Sequence, residues 1–202
     1  MKSILFILSI IFLFSCTEKP KELPFYGMSV VNSPLGLDTI FNPLPNFEFT
    51  NQMGTKVNNE TFMGKAFVAD FFFTSCPGIC PKMTRNMLKI YDVYKEDVNF
   101  ISHSVDPKRD SVEKLNTYAN KVGIKNAETW HFVRAPKEEI SKMADTYMVI
   151  AYEDSTVSGG FEHGGQFILV DENQFVRGFY NGLDDESVDR LITDIKLLLK
   201  EE

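Results

Sequence analysis

The stretch Ala66-Phe67-Val68-Ala69-Asp70-Phe71-Phe72-Phe73 runs directly into Thr74-Ser75-Cys76-Pro77-Gly78-Ile79-Cys80-Pro81 and then into Lys82-Met83. The first eight residues are apolar apart from Asp70, which is the pattern of a central strand buried on both faces. The middle part is rich in Gly, Pro and Cys and reads as a loop. From Lys82 the apolar residues Met83, Met87, Leu88, Ile90, Tyr91 and Tyr94 recur at helical spacing, and Pro81 suits a first helical turn, where a missing N–H costs nothing. The stretch is therefore strand, loop and helix, with two cysteines at the junction.

The same reading extends in both directions. Phe47 to Val57 reads as a small hairpin turned at Asn51-Gln52-Met53-Gly54. Val98 to Val105 is a second strand, and a helix capped by Asp110 or Ser111 reaches about Val122. Trp130 to Arg134 is a short strand, Pro136 opens a helix through Ile140, Met143 and Ala144, and Met148 to Tyr152 is extended. Gln166 to Val170 and Phe175 to Tyr180 pair across the turn Asp171-Glu172-Asn173-Gln174, and Asp184 to Leu199 closes the chain as a helix. Alternating strands and helices imply a parallel sheet covered on both faces, and the last hairpin makes it mixed. A βαβ unit followed by ββα is the thioredoxin-like arrangement. It places the cysteines at the C-terminal edge of the sheet, where open α/β sheets carry their sites.

The ends are of a different character. Met1 and Lys2 precede an apolar run from Ile4 to Phe14, broken only by Ser9. A run of about 7–15 residues behind a basic start is a secretory signal, too short to span a bilayer, which takes about 20. Leu13-Phe14-Ser15-Cys16 resembles a bacterial lipobox, so residues 1–16 read as a lipoprotein signal with Cys16 as the lipidated residue. This implies a lipid-anchored protein of the cell envelope, its domain outside the cytoplasm. Residues 17–40 carry Lys, Glu, Pro, Ser and Gly and read as a tether. Residues 41–202 have the size of one domain. The 18 phenylalanines supply a core, and the net charge of −7 argues against nucleic acid as a partner.

With Cys16 set aside, two cysteines remain, in C-x-x-x-C spacing. They lie too close together to staple distant parts of a fold, so they form a local redox pair or bind something jointly. A helix N-terminus favours thiolate, which is both nucleophile and soft metal ligand. Two thiolates alone suit Cu(I), and a nitrogen ligand would also admit Cu(II). Of the three histidines, His103 and His131 lie within strands and read as packed or surface residues. His163 lies in Gly159-Gly160-Phe161-Glu162-His163-Gly164-Gly165, a loop expected to face the cysteines, and is the candidate third ligand. Met83 and Met87, at i and i+4, read as a core face.

Three motifs carry a family resemblance. Cys76-Pro77-Gly78-Ile79-Cys80-Pro81 resembles the C-P-x-x-C-P motif of the Sco/SenC copper proteins, Ser104-Val105-Asp106-Pro107-Lys108-Arg109-Asp110 their S-x-D-P-x-x-D segment, and Glu162-His163 their late histidine. The resemblance spans roughly residues 45 to 200 and implies a thioredoxin-like fold with copper held by Cys76, Cys80 and His163. It further implies a role in assembling the dinuclear copper centre of cytochrome c oxidase subunit II, with that subunit or another copper enzyme as partner. Asp106 reads either as an ordinary Asp-Pro turn or, on the family pattern, as a residue supporting the ligands. Gly164-Gly165 departs from the family, which usually has Ser or Thr after the histidine. A delivery protein without turnover fits these features best. The alternative is a membrane-tethered thiol–disulfide oxidoreductase using Cys76 and Cys80 to reduce the copper-ligand cysteines of a partner. A peroxidase using one cysteine near Thr74 would leave Cys80 and His163 unexplained.

Overall fold

The computed structural model describes residues 22–34, 36–154, 156 and 159–201. The expected signal and Cys16 lie outside them. Among the described residues no helix is long and apolar enough to cross a membrane.

The first elements are an antiparallel pair, β1 (Met28–Ser33) and β2 (Gly36–Phe41), followed by the hairpin β3 (Glu48–Asn51) and β4 (Lys56–Asn58) and the short helix α1 (Asn59–Phe62). Next come β5 (Phe67–Phe72), α2 (Cys80–Tyr94), β6 (Asn99–Ser104), α3 (Val112–Lys121), β7 (Trp130–Arg134) and α4 (Lys137–Thr146). A separate ribbon, β8 (Ala151–Glu153) with β9 (Phe161–His163), precedes the hairpin β10 (Gln166–Val170) and β11 (Val176–Asn181) and the last helix α5 (Asp185–Glu201). The main sheet runs β11-β10-β5-β6-β7-β3-β4. β5, β6 and β7 are parallel, and the remaining pairs are antiparallel. This is the mixed, thioredoxin-like sheet expected from the sequence.

Alternation along β5 and β6 sorts the core into two layers. Asp70, Phe72 and Ser102 face α2 and α3, where Phe72 meets Tyr118 with ring centres 5.2 Å apart. Phe71 and His103 face the other way and meet Tyr147 at the end of α4. α5 lies beside α2, and the Tyr94 hydroxyl donates to the Ile192 carbonyl at 2.9 Å. Trp130 stacks on Phe132 at 5.0 Å while its indole N–H donates to Ser102 Oγ at 3.0 Å, so a large buried ring keeps its polar handle satisfied. Each large side chain buried in this way contributes about 1.5–3 kcal/mol.

The described part of the stretch read as a tether contains β1 and most of β2, paired antiparallel. Its composition hides one buried anchor, Leu23, and Leu44, just beyond it, is buried as well. Arg177 pairs with Asp171 at 3.0 Å and donates to the carbonyls of Leu23 (2.7 Å) and Pro24 (3.2 Å), and its guanidinium lies 4.1 Å from the centre of the Phe25 ring. Backbone bonds from Tyr26 to Val176 and from Leu44 to Gln174, both 2.9 Å, fix the two ends of the β1–β2 hairpin to the β10–β11 turn.

Candidate metal centre

The cysteine loop is held at its first residue. The Thr74 N–H donates to Asp110 Oδ2 at 3.1 Å and its hydroxyl to Oδ1 at 2.5 Å. Ser104 donates to the same carboxylate at 2.6 Å, so Asp110 ties the exit of β5 to the exit of β6. α2 begins at Cys80 itself rather than at Lys82, which places Cys80 in the first helical turn with Pro81 behind it. Both thiols are free. Cys76 is half-buried, while Cys80 is only 3% exposed.

A hydrogen bond from the Cys80 thiol lowers the Cys76 pKa most, against a burial penalty, with further help from His163 and the N–H groups of Cys80 and Gly78. Cys80 shifts upward because it holds the proton that it donates to Cys76, and burial adds to this. In the metal-free pair the thiolate is therefore favoured on Cys76 over Cys80.

His163 reaches this pair from the far side of the sequence. It ends β9 opposite Ala151, and its Nε2 lies 3.3 Å from Cys80 Sγ and 3.9 Å from Cys76 Sγ. The three ligand atoms all lie within 4.8 Å of one another. The imidazole is 5% exposed, and the Phe73 ring meets it edge-on at 5.9 Å. Its Nδ1 is buried with no partner among the described residues, so Nε2 is the nitrogen turned to the sulfurs. The loop before it presses on the cysteine loop. Gly159 has φ +92°, and a Cβ there would lie 2.6 Å from Phe73 Cζ and 3.2 Å from Pro77 Cδ, so only glycine fits. After it, the Gly182 N–H donates to the Gly165 carbonyl at 2.8 Å, and the Asn86 amide donates to Gly182, also at 2.8 Å, linking the histidine segment to α2.

Asp106 lies outside the ligand group. It builds its turn, accepting from the Arg109 backbone at 3.3 Å, and pairs with the Arg109 side chain. Arg109 in turn donates to the Gly159 carbonyl at 3.2 Å and lies 5.7 Å from the Phe161 ring centre. Asp106 therefore contacts Arg109, and Arg109 contacts the loop before His163. His103 and His131 are buried away from the site. The His103 Nδ1–H donates to the Asp70 carbonyl at 3.1 Å and its ring stacks on Phe71, while His131 Nδ1 lies 3.3 Å from the Asn51 amide. Burial lowers both pKa values to about 4. Met83 and Met87 are buried in the core.

Sequence reasoning gave no role at the site to Asp110, Arg109 or Asp70. Asp110 was visible as a helix cap and as the last residue of the S-x-D-P-x-x-D segment, with no contact to the cysteine loop implied. Asp70 did leave a signal, as the single charge in an apolar strand. It is 4% exposed, and burial raises its pKa to about 6 against a hydrogen bond from Ser102 and the charge of His163. Two soft sulfurs and one imidazole nitrogen, with Cys80 and His163 buried and Cys76 half-buried, form a donor set for a thiophilic ion.

The SCO1/SenC family model matches residues 42–200. The SCO1 protein homolog of Bacillus subtilis is 30% identical over 191 residues, covering 93% of this chain and 92% of the relative. The crystal structure of a SCO1/SenC family lipoprotein from Bacillus anthracis superposes with a TM-score of 0.71 at 34% identity, over 78% of this chain and 95% of that one. The structure of Arabidopsis thaliana ScoI with copper bound gives a TM-score of 0.62 at 25% identity, over 75% and 97%.

Proposed function

The chain belongs to the SCO1/SenC family, and on that premise we propose that it binds copper through Cys76, Cys80 and His163 and hands it on as cargo. The observation that supports this most directly is the convergence of these three side chains, with ligand atoms within 4.8 Å. The copper-bound Arabidopsis relative has the same fold. Cys76 offers a ready thiolate. Cys80 must release its proton as the ion enters, and His163 must be neutral, so binding releases protons and weakens at low pH. The half-exposed Cys76 is where a partner's competing thiolate gains access. Following the family resemblance, we place the recipient at the copper centre of cytochrome c oxidase, subunit II.

Copper stoichiometry on the reduced domain, residues 21–202, tests the ligand set. One tight ion per chain is expected, and it should be lost or much weakened in Cys76→Ser, Cys80→Ser and His163→Ala. A parent that binds no tight copper would sink the proposal.

A second reading, thiol–disulfide exchange with a partner, is favoured by the unequal exposure of the two sulfurs. Cys76 is placed to attack, and buried Cys80 to resolve the mixed disulfide. Fast reduction of a protein disulfide without copper would support it.

We also propose that Cys16 carries lipid and holds the domain on the outer side of a membrane. The lipobox-like sequence supports this, as does the lipoprotein from Bacillus anthracis. Loss of membrane association and of N-terminal acyl mass in Cys16→Ala is the expected result.

A further inference from the structure

The β1–β2 hairpin has no counterpart in the copper chemistry, and one of its faces is apolar and bare. Cross-strand partners share a face, and faces alternate along the strands. The register therefore puts the pairs Met28–Phe41 and Val30–Thr39, together with Leu37, on one side. No charged residue occupies these positions, and Asp38, the charge in the register, belongs to the other side. Met28 is 61% exposed, Val30 63% and Leu37 78%, and Phe41 and Phe25 are also exposed. A contiguous apolar strip of this kind marks a contact surface.

The strip is also held rigidly. Phe25 packs on Phe41 at 5.3 Å and edge-on against Phe175 at 5.5 Å, with Arg177 against its ring. The bonds to the β10–β11 turn described above fix the base of the hairpin, so the strip projects from a fixed mount.

We propose that this face docks on the membrane surface, with Met28, Val30, Leu37 and Phe41 entering the headgroup and upper acyl region. The length of chain before the hairpin selects this occupant. From Cys16 to Leu23 the backbone reaches at most about 25 Å, so a lipid on Cys16 keeps the hairpin within easy reach of the bilayer. The proposal rests on the lipid-anchor reading. An uncharged apolar face needs no anionic lipid, which suits a chain of net charge −7. Lipid chains plus a shallow apolar contact hold a protein more firmly than either does alone.

The docking also orients the molecule. The β10–β11 turn that mounts the hairpin lies at the Phe67 end of β5, because Val170 pairs with Phe67. Cys76 follows the opposite end, about 20 Å away along the strand. A hairpin lying on the bilayer turns the metal centre away from it.

The test uses the full chain, processed in cells and reconstituted in phosphatidylcholine–phosphatidylglycerol vesicles containing a diazirine-bearing phospholipid. Irradiation is followed by peptide mass spectrometry. Lipid adducts are expected on peptides within residues 25–41. They should fall about tenfold in a Val30→Ser/Leu37→Ser variant that retains copper binding. Leu37→Ser alone, at a position exposed enough to leave folding unaffected, should show a smaller loss. Adducts absent from 25–41, or concentrated on the 76–79 loop, would overturn the proposal. So would hairpin-to-hairpin chemical cross-links between two copies in place of lipid adducts. The mass of the N-terminal peptide reports Cys16 lipidation separately. Hairpin adducts on a chain without lipid would reject the anchor and retain the docking face.

Discussion

Two residues that are not ligands bear on the region of the metal centre, one through space and one through charge. Gly159 lets Phe73 and Pro77 close against the histidine loop. Gly159→Ala forces a side chain into a left-handed conformation, at about 1–2 kcal/mol, and into the Phe73 ring. Urea unfolding should show at least that loss. Copper titration should show a Kd weakened about tenfold, because His163 moves with the loop. Asp70 acts through charge. Its folded pKa of about 6 lies above its ordinary 3.8, so the metal-free fold binds its proton more tightly than the unfolded chain does. The stability linked to that proton is complete below pH 4 and is lost as pH rises toward 6. Asp70→Asn, which can keep the Ser102 contact, is therefore expected to stabilise the metal-free domain at pH 7.5 by up to about 3 kcal/mol, with the gain vanishing near pH 4. Denaturant midpoints for both proteins at the two pH values check this. An equal gain at both would remove the titration from the account.

At the scale of elements, the Asp106–Arg109 turn clamps the β8–β9 ribbon that carries His163. Arg109→Ala removes the bond to Gly159 and the contact with Phe161. Hydrogen exchange should accelerate in residues 151–163 while β5 and β6 stay protected. A uniform change across the sheet would show that Arg109 supports the whole fold instead. Of the ribbon, only β8 left a trace in the sequence, as the extended reading of Met148 to Tyr152, and its pairing with β9 was not legible. Its strands are three residues long, and Gly159-Gly160 reads as loop. By contrast, β5, β6 and α2 announced themselves through a continuous apolar run and a helical period. α1 is a single turn, set by the capping box of Asn58 and Thr61, and has no periodicity to detect. The β1–β2 hairpin was hidden because its strands pack against nothing on one side, so their composition is that of exposed chain. At the site, the three candidate ligands could be found by chemistry and spacing. Asp110 and Arg109 could not, because their partners lie in other elements.

For the whole molecule, copper binding should read out as stability. Free copper at about 100 times Kd adds about 2.7 kcal/mol to a fold that alone presents the three donors. For a chain of this size that corresponds to a rise in Tm of about 5–10 °C. Calorimetry of the reduced domain with and without copper should show the shift, and His163→Ala should reduce it sharply. An unchanged Tm in the parent would mean that the ion binds the unfolded chain as well as the native one.

Cys80 and His163 are 83 residues apart in sequence and meet only once the ribbon has settled against the cysteine loop. Bringing such distant points together in a loose chain costs on the order of 4 kcal/mol in entropy. An unfinished or damaged copy therefore presents two neighbouring thiols but no third donor, and it loses its ion easily to any competing thiolate. If the three residues hold copper as proposed, full grip on the ion is then a property of the completed fold alone, and the arrangement would act as an inspection step as well as a binding site.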